Sequence, residues 1–197
     1  MNSSSHSSIG SSGIEAATLT LPLAAGKAQI RFLKPGLVRV RWTPDEFSAR
    51  RSWAVTPPDE SFPGAGVLLY ENGALTGLSG ELLAVIADLD SGCLRFEDAQ
   101  GRTFFADLAA PSVDAQGVVC LKQSPAGECI YGLGQRGSTL LERGGRLHTQ
   151  WATDPVDEHT AITDPFYLAV PVLLALLPGG PSYGVFFNTT WRNSLDL

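Results

Sequence analysis

Charge is scarce in this chain: 17% of its 197 residues, with 14 Lys and Arg against 20 Asp and Glu, for a formal net charge of −6. Without a basic excess nothing draws it to a polyanion, which argues against nucleic acid and anionic membranes as partners. Cysteine is scarce too. Cys93, Cys120 and Cys129 are an odd number and form no CxxC pair, which excludes a zinc cage and a dithiol motif and predicts buried, reduced thiols. No apolar run reaches the roughly 20 residues of a spanning helix. The most apolar stretch, Phe166 to Leu177, is interrupted by Pro171 and reads as a buried strand. The opening MNSSSHSSIGSSG lacks a basic start and an apolar segment. It reads as a flexible leader over 1–13 rather than a signal peptide, so a cytoplasmic location is expected. G-x-S-x-G, P-loop and H-E-x-x-H motifs are missing, and neither a cofactor nor a metal is predicted.

What the chain does have is apolar content, 44%, enough to exclude disorder, and turn formers, with 21 Gly and 13 Pro. Its length fits one domain, two at most. Period two dominates: Val38, Val40 and Trp42 share one strand face, while Arg39 and Arg41 point the other way toward solvent. Lys34-Pro35-Gly36 is a turn that lets Gln29 to Leu33 pair back as a hairpin arm. Glu71-Asn72-Gly73, Asp90-Ser91-Gly92 and Asp98 to Gly101 are further turns, with strands expected at Cys93 to Glu97 and from Arg102 to Phe105. Glu81 to Leu89 fits a helical face as well as a strand, and its shortness favours a buried strand. Gly117 to Lys122, Glu128 to Tyr131 and Tyr183 to Asn188 complete the strand candidates. Many short strands between frequent turns predict an all-β, antiparallel β-sandwich with few or no long helices.

Three features carry possible chemistry. Gly132, Gly134 and Gly137 spell G-x-G-x-x-G, but Arg143-Gly144-Gly145 cuts short the helix a dinucleotide site needs, so a glycine-rich β-connection is expected. His148 and His159 lie near Asp154, Asp157, Glu158 and Asp164 without metal-ligand spacing, and read as polar residues of an exposed loop. The segment Trp151 to Tyr167 is a long connection with Asp-Pro at 154–155 and 164–165, Trp151 at its start and Phe166-Tyr167 at its end. Aromatic faces stack on sugar C–H surfaces and carboxylates accept from sugar hydroxyls, so this loop is the candidate site.

From Tyr131 to Asp154 the sequence YGLGQRGSTLLERGGRLHTQWATD resembles the end of the N-terminal β-sandwich of glycoside hydrolase family 31, which includes α-glucosidases and α-xylosidases. The resemblance continues through Asp164 to Tyr167, Val170-Pro171 and Ser182 to Trp191, and more weakly back to about residue 25. Gln135 stands where the family usually has Glu, and Ala152 where Asn is common. The resemblance implies a galactose mutarotase-like supersandwich over 14–197. It also implies that the catalytic nucleophile and acid/base are Asp residues of a (β/α)₈ barrel beyond Leu197, so no catalytic residue is expected here. Asp154 would accept hydrogen bonds from the outermost sugar of an α-linked oligosaccharide, and Trp151 would support the loop or line the pocket. A bare apolar barrel-facing surface would favour self-association. Two other readings stay open. One is a free-standing sugar-binding sandwich that stacks sugars on Trp151, Phe166 and Tyr167. The other is a sugar epimerase working through His148 or His159 with a Glu.

Overall fold

The computed structural model describes residues 18–23, 26–48, 52–115, 117–137, 140–156 and 159–197. The leader expected over 1–13, and Asp157 and Glu158, lie outside them. Among the described residues there are fourteen strands and one 3₁₀ turn, Asp59–Ser61, but no α-helix. None is long and apolar enough to cross a membrane as a helix. The strands are β1 (Thr18–Leu23), β2 (Gly26–Lys34), β3 (Leu37–Thr43), β4 (Val67–Asn72), β5 (Leu75–Gly80), β6 (Leu83–Asp88) and β7 (Leu94–Asp98). They continue with β8 (Thr103–Asp114), β9 (Gly117–Lys122), β10 (Cys129–Gly134), β11 (Leu147–Gln150), β12 (Ala169–Leu176), β13 (Tyr183–Phe186) and β14 (Asn193–Asp196). All strand pairs are antiparallel. The chain divides into two compact units, one within Met1–Arg50 and Val55–Ser124, the other within Arg51–Ala54 and Pro125–Leu197.

The first unit holds a three-stranded sheet, β1-β2-β3, and a six-stranded meander, β4 to β9. Alternation sets its inner faces. Ala28, Ile30 and Phe32 on β2 and Leu21 and Leu23 on β1 meet Leu78, Val85, Ala87 and Leu94 in one buried cluster. That is a sandwich in which each sheet hides the apolar face of the other. The ambiguous 81–89 segment is β6, whose central four residues are all buried. β8 runs well past the expected Phe105, to Asp114.

Arg39 departs from the solvated position expected of it. Its Nη1 and Nη2 donate to Asp59 Oδ1 and Oδ2 at 2.6 and 2.5 Å, and Arg31 Nη1 adds a bond of 2.9 Å. These arginines clamp the Asp59–Ser61 turn onto the outer side of β2 and β3. The hydrogen bond from Arg39 holds the Asp59 carboxyl below its ordinary value of 3.8, against burial, with the charges of Arg39, Arg31 and Arg41 helping. A lowered folded pKa means stability that is complete above 3.8 and lost as pH falls through the folded value. Urea midpoints should therefore stay level down to the ordinary carboxylate range and drop below it, less steeply in Asp59→Asn. An equal acid slope in the variant would contradict this.

The second unit holds the sheet β10-β12-β13 and the ribbon β11-β14. Ile130, Leu133, Leu173 and Ala175 form its core, with Tyr183, Val185, Phe187, Leu195 and Leu197 packed against it. The apolar run expected to be buried is half so: on β12 Leu173 and Ala175 point in, while Leu174 and Leu176 are exposed. The cysteines also differ from expectation. None is bonded to another, and Cys120 is exposed on β9, while Cys93 and Cys129 are partly so.

Candidate functional site

The glycine motif shapes the pairing of β10 with β12. β10 and β12 slip register between Gly132 and Gly134. At this bulge Gly132, Leu133 and Gly134 all have positive φ, at 103°, 64° and 80°. A side chain would collide there: a Cβ on Gly132 would lie 2.5 Å from the Val172 carbonyl oxygen, and one on Gly134 2.4 Å from that of Leu168. The glycines thus serve close strand approach, as the glycine-rich connection predicted, and not a pyrophosphate.

Beside them lies a polar anchor. Glu142 accepts from the backbone N–H groups of Gly144 at 2.8 Å and Ile130 at 3.2 Å, and these hold its carboxyl below its ordinary value. Arg143 is buried and donates to the carbonyls of Gly132 and Leu140, both at 3.1 Å. Its own carbonyl lies 2.8 Å from His148 Nε2. His148 is therefore a buried structural residue of β11, not the exposed loop residue expected. An apolar groove of about 460 Å³ runs along β10 and β12, lined by Tyr131, Leu133, Leu141, Val172 and Leu174 with Arg143. Trp151 and Asp154 do not line it.

The loop 151–167 is closed at its base. Ala152 and Phe166 form a parallel bridge, and the Thr153 N–H donates to the Phe166 carbonyl at 3.1 Å. Asp164, before a cis peptide to Pro165, accepts from the Thr149 N–H at 2.7 Å. Its other oxygen is 3.9 Å from Nη1 of Arg136, whose side chain is 3% exposed. Burial pulls the Arg136 pKa down; the charge of Asp164 opposes that and Arg143 adds to it. Asp164 is thus committed to holding the loop. Within the loop the Thr160 N–H donates to Thr163 Oγ1 at 2.9 Å, and the Thr163 N–H to the Thr160 carbonyl at 3.2 Å. That tight turn follows directly on His159.

His159, Phe166 and Tyr167 form an edge-on aromatic cluster, with ring centroids 5.0 to 5.2 Å apart. The Tyr167 hydroxyl lies 2.8 Å from His159 Nε2. Its pKa is raised by desolvation, by the negative charge of Asp154 and by a hydrogen bond with that carboxylate. Phe166 is 6% exposed, so it anchors the cluster and cannot act as a stacking platform. Trp151 and Tyr167 remain accessible, at 47% and 43% exposed, and Asp154 is exposed between them in sequence. From the sequence His159 reads as a polar loop residue or as an epimerase acid/base beside a Glu, not as the partner of Tyr167. The bridge that brings it to Tyr167 joins positions fourteen apart in a stretch with no period to read.

Chemically the described residues of the loop offer an accessible carboxylate, a phenol, an imidazole and an indole: groups that bind hydroxyls and C–H faces. No group of three or more His, Cys, Asp and Glu able to hold a metal occurs among the described residues. For an epimerase, His148 is buried against a backbone carbonyl, and His159 is bonded to a tyrosine rather than a Glu.

Solved structures share this fold. The GH31 dextranase of Flavobacterium johnsoniae complexed with glucose superposes with a TM-score of 0.71 at 20% identity, over 90% of this chain and 22% of its own. A mutant of that dextranase complexed with isomaltotriose gives 0.72 at 21% identity, over 90% of this chain and 22% of its own. A GH31 α-xylosidase from a soil metagenome, complexed with xylose, gives 0.71 at 18%, over 93% of this chain and 28% of its own. The chain thus spans only about a quarter of the length of these enzymes. No curated protein matches it. Residues 27–196, nearly the whole chain, match the family described as the glycosyl hydrolase 31 N-terminal galactose mutarotase-like domain, and the chain belongs to that family.

Proposed function

We propose that this chain is the non-catalytic N-terminal domain of a retaining α-glucosidase-like hydrolase that cleaves terminal α-glucosidic bonds, and that its 151–167 loop closes one side of the sugar pocket. In this reading Asp154 accepts hydrogen bonds from hydroxyls of the non-reducing-end sugar of an α-linked oligosaccharide, and Trp151 supplies an apolar face. The supporting observation is the loop itself, which carries an exposed carboxylate between two accessible rings and is pinned at its base to β11. The complexes of the dextranase with glucose and isomaltotriose support an α-linked glucose oligomer as the ligand class. Cleavage needs two carboxylates placed across one bond, and Asp164 is already committed to Thr149 and Arg136. The apolar side chains left exposed on β8 and β9, Leu108, Val113, Val118 and Leu121, support a further protein surface as partner or, in isolation, self-association.

The chain alone is expected to show no turnover of an aryl α-glucoside above background. Turnover would place an acid–nucleophile pair within these residues and end the proposal. A second reading, a free-standing sugar-binding module, is favoured by the accessible rings of Trp151 and Tyr167. Calorimetry with maltose and isomaltose separates the two. Millimolar or tighter binding by the chain alone supports the module, and absence of heat supports the pocket-closing domain.

A further inference from the structure

Arg136 carries a buried charge that its neighbours answer poorly. Its side chain is 3% exposed, yet Asp164 Oδ1 lies 3.9 Å from Nη1, beyond hydrogen-bond reach. The other Asp164 oxygen is taken by the Thr149 N–H. Nη1 donates to the carbonyl of Gln135 at 3.1 Å. Nε and Nη2 are buried and meet no hydrogen-bond acceptor among the described residues. Burying a guanidinium costs free energy that acceptors and an opposite charge normally offset.

Which nitrogens are left over points to the ligand. Nε–H and one N–H of Nη2 lie side by side and parallel, the fork that takes both oxygens of a planar carboxylate. The charges favour an anion over a neutral acceptor. Asp164 supports the guanidinium cation and Arg143 opposes it, while Glu142, next to Arg143 in the chain, is already held by the N–H groups of Gly144 and Ile130. Packing limits the size. The Thr160–Thr163 turn lies against Gly137, the residue after Arg136, where a Cβ would stand 2.2 Å from the Thr160 carbonyl oxygen.

We propose that Arg136 anchors an anion site at the base of the 151–167 loop, and that its ligand is a small free carboxylate held through both oxygens by Nε–H and Nη2–H. Nη1 stays with the Gln135 carbonyl, and Asp164 keeps the Thr149 N–H. The bound anion brings to the guanidinium the negative charge that Asp164 supplies only from a distance. A carboxylate on a partner protein does not reach a side chain covered to this degree. The site makes no use of Trp151 or Asp154, so it stands whether or not the loop meets sugar.

The test is nuclear magnetic resonance on the chain labelled with nitrogen-15 in arginine, with formate as the probe and chloride at equal ionic strength as the control. The Arg136 Nε–H signal is identified by its loss in Arg136→Lys. Formate should shift that signal to saturation and raise the urea midpoint, leaving the other arginine Nε–H signals in place. Chloride offers one acceptor atom instead of two and should bind about tenfold more weakly or worse. Arg136→Lys keeps the charge but not the fork, and its urea midpoint should respond to formate about tenfold less tightly. Asp164→Asn tests the site without touching the arginine. Its amide oxygen still accepts from Thr149, and formate should bind more tightly because a repelling charge is gone. An Arg136 signal that formate moves no further than chloride does overturns the proposal. So does a folded Arg136→Lys variant that formate stabilises as much as the unaltered chain, or weaker formate binding in Asp164→Asn.

Discussion

Gly134→Ala is expected to unfold the second unit or bring it close to unfolding. The added Cβ would stand 2.4 Å from the Leu168 carbonyl oxygen and 2.8 Å from the Val170 nitrogen, both backbone atoms of the β12 side of the bulge. Neither can rotate away as a side chain would. The φ of 80° adds a conformational cost of about 1–3 kcal/mol. Forcing the strands apart adds roughly another 1–3 kcal/mol. Urea unfolding should show a loss in that combined range, together with loss of the candidate loop, because the Gln135 N–H that follows holds the Leu168 carbonyl beside Tyr167. Gly73→Ala is the control. It also sits at positive φ, 62°, but a Cβ there meets nothing within 4 Å, so only the conformational part is expected. Equal losses in the two variants would show that close strand approach is not what position 134 requires.

Phe32→Ala is the second large effect. Phe32 is 2% exposed at the centre of the cluster where β2 faces β5 and β6. Truncating a buried phenylalanine removes its transfer energy and leaves a cavity that close-packed neighbours fill poorly, about 3–5 kcal/mol in all. A domain stable by about 5–15 kcal/mol keeps little after such a loss. The expected result is a large fall in the urea midpoint and in the thermal midpoint. Trp53→Ala removes a larger ring that is 80% exposed, and should change stability by no more than about 0.5 kcal/mol. A Phe32→Ala midpoint close to that of the unaltered chain would mean that the two sheets do not share this core.

The two variants mark how far the sequence was legible. Alternation in Val38 to Trp42, the Asn72-Gly73 turn and the run Gly117 to Lys122 are local signals, and β3, the β4–β5 hairpin and β9 follow them. β14 was missed because Asn193–Asp196 is short and polar at both ends; it becomes a strand by pairing with β11 and seating Leu195 on the core. His148 was misplaced for a similar reason. A lone histidine has no period, and only the carbonyl of Arg143 shows it to be buried. Arg39 looked solvated because the turn that supplies its partner Asp59 lies twenty residues away.

Composition and period decide the fold class, since short alternating runs between turn formers bury their apolar faces only as stacked antiparallel sheets. The motif from Tyr131 to Asp154 points to the family, because its glycines and its Asp are tied to fixed positions in the chain. What the sequence leaves open is which polar groups meet. The bridge from Ala152 to Phe166, the fastening of Asp164 to Thr149, and the pairing of His159 with Tyr167 are decided by tertiary structure alone. They join residues across an irregular loop, where the backbone follows no repeat and hydrogen-bond partners are chosen by the strands on either side.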